Sequence, residues 1–233
     1  MSERYAAQGQ IAGWGEAAQQ RLREAHVFVV GAGARGCVVA GLLAAAGAGK
    51  LSVVDGSQVA LESLTRQLLH FTPDVNANRA ESVRAKLALQ NPDAHVDAFP
   101  ADVDAQNVAM ILQGASCVVD CANDFSVSRL INDHCVEAGV PYVFGATDGW
   151  NGALLSVGAK APNCLRCVEQ VANSAALGPV AATIGSLQAL EAMKFVGGVG
   201  EPRESALLRL TGDDLSIATE PLTCSPDCIC ARG

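Results

Sequence analysis

A glycine-rich turn near the amino terminus has the residue types and spacing of a phosphate-binding site. Gly31, Gly33 and Gly36 form a GxGxxG pattern directly after the apolar run Val27–Val30. The first glycine permits a tight turn, the second lets the backbone approach a phosphate, and the third lets helix and strand pack closely. The next predicted strand ends at Asp55, whose carboxylate can accept hydrogen bonds from ribose hydroxyls. The pattern predicts a nucleotide site, and by itself it fits both an ATP-using enzyme and a dinucleotide dehydrogenase.

The cysteines are the second group of residues whose types and spacing suggest a chemical role. The chain has nine, and Cys164 and Cys167 form a CxxC pair, while Cys224, Cys228 and Cys230 cluster near the C-terminus. Four thiolates can surround Zn²⁺ tetrahedrally, and CxxC supplies two of them from one tight turn. The residues leave three possibilities open, which are a zinc site, a set of free thiols and a disulfide. The remaining cysteines of apolar stretches are expected to be buried small hydrophobes; they include Cys37, Cys117 and Cys121.

The elements that must position these residues alternate between strands and helices. Short β-branched apolar runs predict strands, and segments with helical apolar periodicity lie between them. This alternation predicts an α/β, Rossmann-like three-layer fold with right-handed crossovers. The predicted strands are Val27–Val30, Leu51–Asp55, Cys117–Asp120 and Tyr142–Phe144, and the helices cover roughly 36–47, 78–90 and 125–139.

The pattern changes after Gly145, where further strands precede and follow one long apolar helix at about 179–197. We therefore expect a mixed sheet, parallel in its N-terminal half and antiparallel in its late strands. Residues 1–233 are expected to form a single nucleotide-binding domain, with a Rossmann-like half at 1–150 and the late strands, a long loop at 159–178 and a cysteine-rich tail within 151–233. The late strands are predicted at Gly152–Val157, Leu207–Leu210 and, more weakly, Ile217–Leu222.

Composition excludes several classes of function. The 233 residues carry a net charge of −8, which disfavours nucleic acid as a partner because phosphate-backbone binding needs a cationic face. Half the residues are apolar, which is enough to form a hydrophobic core. The apolar runs are shorter than the ~20 residues that a membrane-spanning helix requires. The N-terminus has no basic region followed by an apolar run, so the expected location is the cytoplasm.

Five segments occur in an order that resembles one known family. The likeness runs from Arg4 to Cys230, nearly the whole chain, and its joint motifs are specific. On these motifs the chain resembles the ThiF/MoeB/HesA family, the bacterial relatives of ubiquitin-activating enzymes. The segments are VALESLTRQ at 59–67, Arg79-Ala80-Glu81-Ser82, Asp120-Cys121-Ala122-Asn123-Asp124-Phe125, Cys164-Leu165-Arg166-Cys167, and Leu177-Gly178-Pro179 followed by Gly185-Ser186-Leu187-Gln188-Ala189.

The resemblance implies a function as well as a fold. It implies a homodimeric adenylyltransferase that uses ATP and Mg²⁺ to activate the C-terminal Gly-Gly carboxylate of a small ubiquitin-like protein of the sulfur-carrier type. The products are an acyl adenylate and pyrophosphate. Such a reaction requires the carboxylate to be held in line with the α-phosphate while cations stabilise the charge on the leaving pyrophosphate.

Site residues follow from the resemblance position by position. Gly31, Gly33 and Gly36 resemble the phosphate turn, and Asp55 resembles the ribose-binding acid. Arg66 occupies the place of a phosphate-contacting arginine, with Gln67 beside it. The resemblance also implies a structural zinc that joins the long loop to the tail, with the ligands Cys164, Cys167, Cys228 and Cys230; because the second pair departs from the family's CxxC spacing, Cys224 with Cys228 is the alternative second pair.

Several family positions are substituted. Arg79 replaces the lysine that reaches the phosphates, which keeps the charge but presents a planar fork. The family's magnesium-linked aspartate is Asn123 here, and Asp124 lies one place further along. Ser63 replaces an asparagine, and Ala7 replaces an arginine that serves the neighbouring subunit's site. These departures make a catalytically degenerate binding or scaffold subunit the main alternative function.

Two further expectations concern the reaction itself. Some family members carry a nucleophilic cysteine in the loop before the long helix, and the corresponding run 171–175 contains none, so no thioester step is expected there. The acceptor could instead be a peptide or small-molecule carboxylate. An NAD(P)-dependent oxidoreductase is disfavoured because no proton-transfer residue is identifiable and the arginine and cysteine motifs have no role in hydride transfer.

Overall fold

A single mixed sheet of eight strands organises the protein, as a computed structural model describes it over residues 3–231. The strand order is β3-β2-β1-β4-β5-β6-β7-β8. Strands β1 to β5 are parallel, and β6, β7 and β8 each run antiparallel to the strand before them. The expected mixed sheet is confirmed. The strands are β1 (His26–Val30), β2 (Lys50–Val54), β3 (His95–Phe99), β4 (Cys117–Asp120), β5 (Tyr142–Asp148), β6 (Asn151–Val157), β7 (Ala206–Thr211) and β8 (Ser216–Pro221).

Helices cover both faces of this sheet. Short 3₁₀ turns at Glu3–Tyr5, Leu61–Thr65, Thr72–Asp74, Leu165–Cys167 and Ile229–Ala231 complete the described elements. The α-helices are α1 (Ala6–Gly9), α2 (Gly15–Glu24), α3 (Ala34–Ala46), α4 (Arg79–Gln90), α5 (Val108–Ile111), α6 (Phe125–Ala138) and α7 (Gly178–Gly197).

The alternation of side chains along β1 explains the three layers. Val27 and Val29 belong to one buried cluster, which α2, α3, α4 and α7 cover. Phe28 and Val30 point to the opposite face and join a second cluster with α5, α6 and the C-terminal tail. Because successive side chains of a strand face opposite sides, a strand that is apolar at every position must be buried on both.

The strand order also predicts where a ligand binds. Strand β1 lies between β2 and β4, so the connections from β1 and from β4 leave in opposite directions. Open α/β sheets bind ligands at the carboxyl ends of the strands at such a reversal. The glycine-rich turn follows β1 at this point.

The predicted strands and helices are present with ends shifted by a few residues, and the structure adds strand β3, helices α1, α2 and α5, and the short 3₁₀ turns. Strand β3 lies at the edge of the sheet. Its sequence, His95-Val-Asp-Ala-Phe99, has no continuous apolar run, and the strand is partly exposed along its length. Helix α2 is mostly polar and buries Ala18, Gln19 and Leu22 in the layer of helices that covers this face of the sheet. Over residues 3–231, every helix is too short or too polar to cross a membrane.

Candidate nucleotide-binding site and cysteine cluster

The glycine-rich turn is built so tightly that two of its glycines admit no side chain. Gly31 has φ +97° and donates its amide proton to the Val54 carbonyl at 2.7 Å. A Cβ on Gly31 would lie 2.6 Å from the Cys121 carbonyl oxygen, and one on Gly36 would lie 1.8 Å from the Gly31 carbonyl oxygen. The turn therefore presses the start of α3 against β1.

Gly33 has a different environment. It is the N-cap residue of α3 at φ −82°, and no side chain caps the helix there. A Cβ on Gly33 would find only the Gln67 Nε2 atom, at 3.8 Å. An uncapped helix start leaves its first amide groups available to an anion, and the open side of Gly33 gives that anion room to approach.

A cavity of about 400 Å³ lies against this turn. Its walls come from the carboxyl ends of β1, β2 and β4, from the loop after β3 and from the start of α4. Six of the predicted site residues line it together, and Asp102 adds a third carboxylate. The six are Gly31, Gly33, Asp55, Arg79, Asn123 and Asp124.

Asp55 organises the turn from the end of β2. Its carboxylate accepts hydrogen bonds from the Ala32 amide at 2.7 Å and from the Ser57 amide at 2.8 Å. The Arg79 guanidinium lies 3.9 Å away, and the Asp55 side chain is 8% exposed. Asp55 thus holds the backbone of the turn and also lines the cavity where a ribose is expected.

Arg79 brings an unused hydrogen-bond donor to the cavity. It is the first residue of α4, its side chain is 17% exposed, and its Nε is buried without a partner among residues 3–231. Buried donors are nearly always satisfied in folded proteins. A phosphate oxygen accepting from Nε would satisfy this one with a charge-assisted bond, so the residues present fit a nucleotide.

Asn123 and Asp124 lie at the junction of two cavities. They line the 400 Å³ cavity and also a neighbouring cavity of about 600 Å³, which Phe125, Arg129 and Asn173 border. Asp124 is the N-cap of α6 and accepts hydrogen bonds from the Ser126 hydroxyl and amide, which lower its pKa. An ionised carboxylate here, with the carboxylates of the first cavity, is the oxygen donor set that Mg²⁺ prefers.

Three predicted residues lie behind or beside the cavity wall. Gln67 is 4% exposed, stands behind Gly33, and has an Oε1 with no partner among the described residues. Ser63 is buried in the 3₁₀ turn at 61–65. Arg66 follows that turn and donates to the Glu62 carbonyl at 3.2 Å. The structure therefore groups Arg79, and not Arg66, with the glycine turn.

The cysteine cluster lies apart from this cavity. The thiols of Cys164, Cys167, Cys228 and Cys230 lie within 4.8 Å of one another. Four of their sulfur–sulfur distances are 3.7 Å (164 to 228), 3.7 Å (167 to 228), 3.6 Å (167 to 230) and 3.4 Å (228 to 230). Zinc–sulfur bonds of about 2.3 Å in a tetrahedron place sulfurs ~3.8 Å apart, so these four residues fit Zn²⁺. They are the four ligands that the family resemblance implies, and the choice of Cys230 over Cys224 stays a prediction.

Comparison with known proteins decides the family. The model of the ThiF family matches residues 5–230. The chain belongs to the ThiF family.

Individual ThiF relatives are similar over nearly the whole chain. The SAMP-activating enzyme E1 of Haloferax volcanii is 36% identical over 230 residues, which cover 94% of this chain and 85% of that protein. The sulfur carrier protein adenylyltransferase of Thermus thermophilus is 33% identical over 229 residues, with 92% and 84% covered. The crystal structure of E. coli MccB with ATP superposes with a TM-score of 0.87 at 23% identity, over 99% of this chain and 75% of that one, which shows a shared fold.

Arg35 is a functional candidate of this ThiF chain that sequence reasoning missed. It lies inside the glycine turn and is 3% exposed. Its guanidinium donates to the Thr147 hydroxyl at 2.9 Å, the Asn173 side-chain oxygen at 3.1 Å and the Ala122 carbonyl at 2.9 Å. Burial lowers the pKa of Arg35, and Cys121 and Asp120 oppose that shift. Arg35 thus joins the glycine-rich turn to the loop before α7. The signal available in the sequence was a cation among small residues.

Three buried thiols of α3, β4 and the loop after β4 are poor nucleophiles in this arrangement. Cys37, Cys117 and Cys121 are each at most 4% exposed. Burial raises the pKa of each to about 12, so each stays a protonated thiol at neutral pH. This environment is that of the buried small hydrophobes expected from the sequence.

Proposed function

We propose that this ThiF-family chain adenylates the C-terminal Gly-Gly carboxylate of a small ubiquitin-like carrier protein with ATP, working as a homodimer. The observation that carries the proposal is the 400 Å³ cavity, which is lined both by Gly33 at an uncapped helix start and by Arg79, whose buried Nε has no partner among the described residues. Relatives named for activating SAMP and sulfur carrier proteins support the choice of acceptor.

The two adjoining cavities suit the two substrates. ATP would occupy the cavity at the glycine turn, and the acceptor's carboxylate would enter through the 600 Å³ cavity, because Asn123 and Asp124 border both. A carboxylate oxygen of the acceptor forms a bond to the α-phosphorus. The bond from that phosphorus to the oxygen bridging to the β-phosphate breaks, and pyrophosphate leaves with the electron pair. The product is an acyl adenylate.

The chain's own residues position and stabilise these groups. The first amides of α3 would bind phosphate oxygens, Asp55 would accept from the ribose, and Arg79 would donate to the phosphates as charge develops. Asn123 and Asp124 would hold Mg²⁺, which supplies positive charge to the phosphates when bound. Gln67 would support the start of α3 from behind Gly33, and Arg66 and Ser63 keep the nucleotide-contacting roles that the family resemblance implies.

The reaction is proposed to stop at the adenylate on this chain. Run 171–175 contains no cysteine, and the buried thiols near the turn, with pKa values of about 12, are poor nucleophiles. An external nucleophile would therefore receive the acyl group. Zn²⁺, held by Cys164, Cys167, Cys228 and Cys230, would join the long loop to the tail as a structural ion.

Pyrophosphate exchange tests the proposal. Labelled pyrophosphate should enter ATP only when a ubiquitin-like protein ending in Gly-Gly is added, and the same carrier without its last glycine should not support exchange. Arg79→Ala should lower exchange about tenfold to a hundredfold, the cost of one charged hydrogen bond. Arg84→Ala is the matched control, because Arg84 lies on the same helix, is exposed and pairs with Glu81.

Other outcomes identify the alternatives. Exchange that depends on a peptide or small acid, and not on any Gly-Gly carrier, would replace the acceptor. Exchange that requires a second, complete ThiF subunit would make this chain the scaffold half of a heterodimer. Equal loss in Arg79→Ala and Arg84→Ala would contradict the role proposed for Arg79.

A further inference from the structure

The cysteine cluster region contains five thiols, one more than a tetrahedral ion can bind. The fifth, Cys224, has its sulfur 3.1 Å from that of Cys230, six positions along the chain. This is shorter than the distances of 3.4 to 3.7 Å given above for pairs within the four-thiol cluster. Cys224 also contacts Cys167, but the sulfurs of Cys224 and Cys230 are closer together than those of the pairs given above.

This geometry does not suit two ligands of one zinc ion. Zinc–sulfur bonds of about 2.3 Å separate two tetrahedral sulfurs by ~3.8 Å. The pair at 3.1 Å is well inside that separation, and Cys224 lies outside the group of four thiols within 4.8 Å of one another. In contrast, a disulfide bond of ~2.05 Å needs the two sulfurs to approach by only about 1 Å.

Accessibility divides the five thiols. Cys164 and Cys228 are buried, whereas Cys167, Cys224 and Cys230 are partly exposed, so both members of the close pair lie on the accessible side. The segment that joins them contains no strand or α-helix, and its last residue, Cys230, lies in a short 3₁₀ turn. A small oxidant can therefore reach this edge of the cluster, and the chain between the two sulfurs can adjust.

We propose that Cys224 and Cys230 are an oxidation site for hydroperoxides, and that their disulfide releases the zinc. The Cys230 sulfur, which a bound zinc ion would hold as a thiolate, attacks one peroxide oxygen. The O–O bond breaks, that oxygen stays on the sulfur as a sulfenic acid, and hydroxide leaves and takes up the proton that the Cys230 thiol released. The Cys224 thiol then attacks the sulfenic sulfur, the disulfide forms, and water leaves. Per hydrogen peroxide, two thiols are oxidised and two waters are produced.

The disulfide removes one of four ligands. Cys230 can no longer bind the ion, which leaves the three thiolates of Cys164, Cys167 and Cys228. The inference rests on the zinc site proposed above and is independent of the adenylation reaction. Oxidation would thereby disconnect the C-terminal tail from the loop that contains Cys164 and Cys167.

The test uses the purified full chain. Its zinc content is measured first by elemental mass spectrometry, then hydrogen peroxide is added. Zinc release is followed with a chromogenic chelator, and disulfides are mapped by peptide mass spectrometry. We expect a peptide joining Cys224 to Cys230 and zinc release with the same time course. Cys224→Ser should still bind one zinc per chain. It should release that zinc at least about tenfold more slowly, because the sulfenic acid lacks its resolving thiol.

Controls separate the thiol pair from the metal site. Thr223→Ala changes an exposed neighbour and should behave as the unmodified chain. Cys224→Ser that loses zinc before oxidation, or that releases it at the unmodified rate, would overturn the proposal, as would a disulfide from Cys230 to any other cysteine. If the purified protein contains no zinc, the metal site and the proposed release step are both refuted, whether or not the protein catalyses pyrophosphate exchange.

Discussion

Replacing Gly33 by alanine separates nucleotide binding from folding. The backbone of Gly33 is extended with a negative φ of −82°, and the added methyl meets only the Gln67 Nε2 atom at an ordinary 3.8 Å. We therefore expect the free energy of unfolding of Gly33→Ala to stay within about 0.5 kcal/mol of that of the unmodified chain. The methyl would, however, occupy the side from which a phosphate approaches the start of α3.

The expected loss of affinity follows from the hydrogen bonds at stake. A bond from a backbone amide to a charged oxygen contributes roughly 1.5–3 kcal/mol. A methyl on Gly33 prevents at least one such bond because the phosphate must move away from the amides. Since 1.4 kcal/mol is about tenfold in affinity, Gly33→Ala should weaken ATP binding at least tenfold.

Gly36→Ala is the contrasting variant. Its Cβ would lie 1.8 Å from the Gly31 carbonyl oxygen, where at least 3.0 Å is needed, so α3 and β1 must separate by about 1.2 Å (3.0 − 1.8). Overpacking of this kind costs about 1–3 kcal/mol, so this variant should lose stability as well as binding. Urea unfolding and calorimetry with ATP and Mg²⁺ measure the two quantities. Unchanged ATP affinity in Gly33→Ala would refute the phosphate site at this turn, and unchanged stability in Gly36→Ala would refute the packing argument.

Three further variants test the surroundings of the turn. Arg35→Met should lower the free energy of unfolding in urea by about 3 kcal/mol, because it removes the three hydrogen bonds that the buried guanidinium donates to Thr147, Asn173 and Ala122; an effect below about 1 kcal/mol would mean that Arg35 does not join the turn to the loop. Tyr142→Phe removes the hydroxyl that donates to the buried Asp120 at 2.7 Å and should cost about 1–3 kcal/mol, while a neutral result would show that water takes its place. Burial lowers the pKa of His70, which contacts the Ala32 carbonyl, so the unfolded chain takes up a proton before the folded chain does as the pH falls. The contribution of His70 to the free energy of unfolding should therefore be fully present above the ordinary pKa of 6.5 and decline below it. His70→Gln should flatten that decline in urea titrations at pH 7.5 and 5.5.

Local patterns were sufficient for the elements that are apolar and continuous. Strand β1, the glycine turn and α3 follow one another in sequence, and each is dictated by its own residues, so their prediction needed no distant contact. Strand β3 was missed because an edge strand has few neighbours and requires few apolar residues. Its place in the sheet depends on pairing with β2, which no local pattern of His95–Phe99 reveals.

The residue types of the candidate site were likewise readable from the chain, since glycine spacing, the acid after β2 and the CxxC motif each have a local chemical reason. Only the tertiary structure decided which of them meet: Arg79 lies on the cavity wall while Arg66 bonds to the Glu62 carbonyl, and Cys224 touches Cys230 without joining the group of four. Motif spacing limits the chemistry a segment can perform, but distances between segments depend on how sheet and helices pack, and that packing is a property of the whole chain.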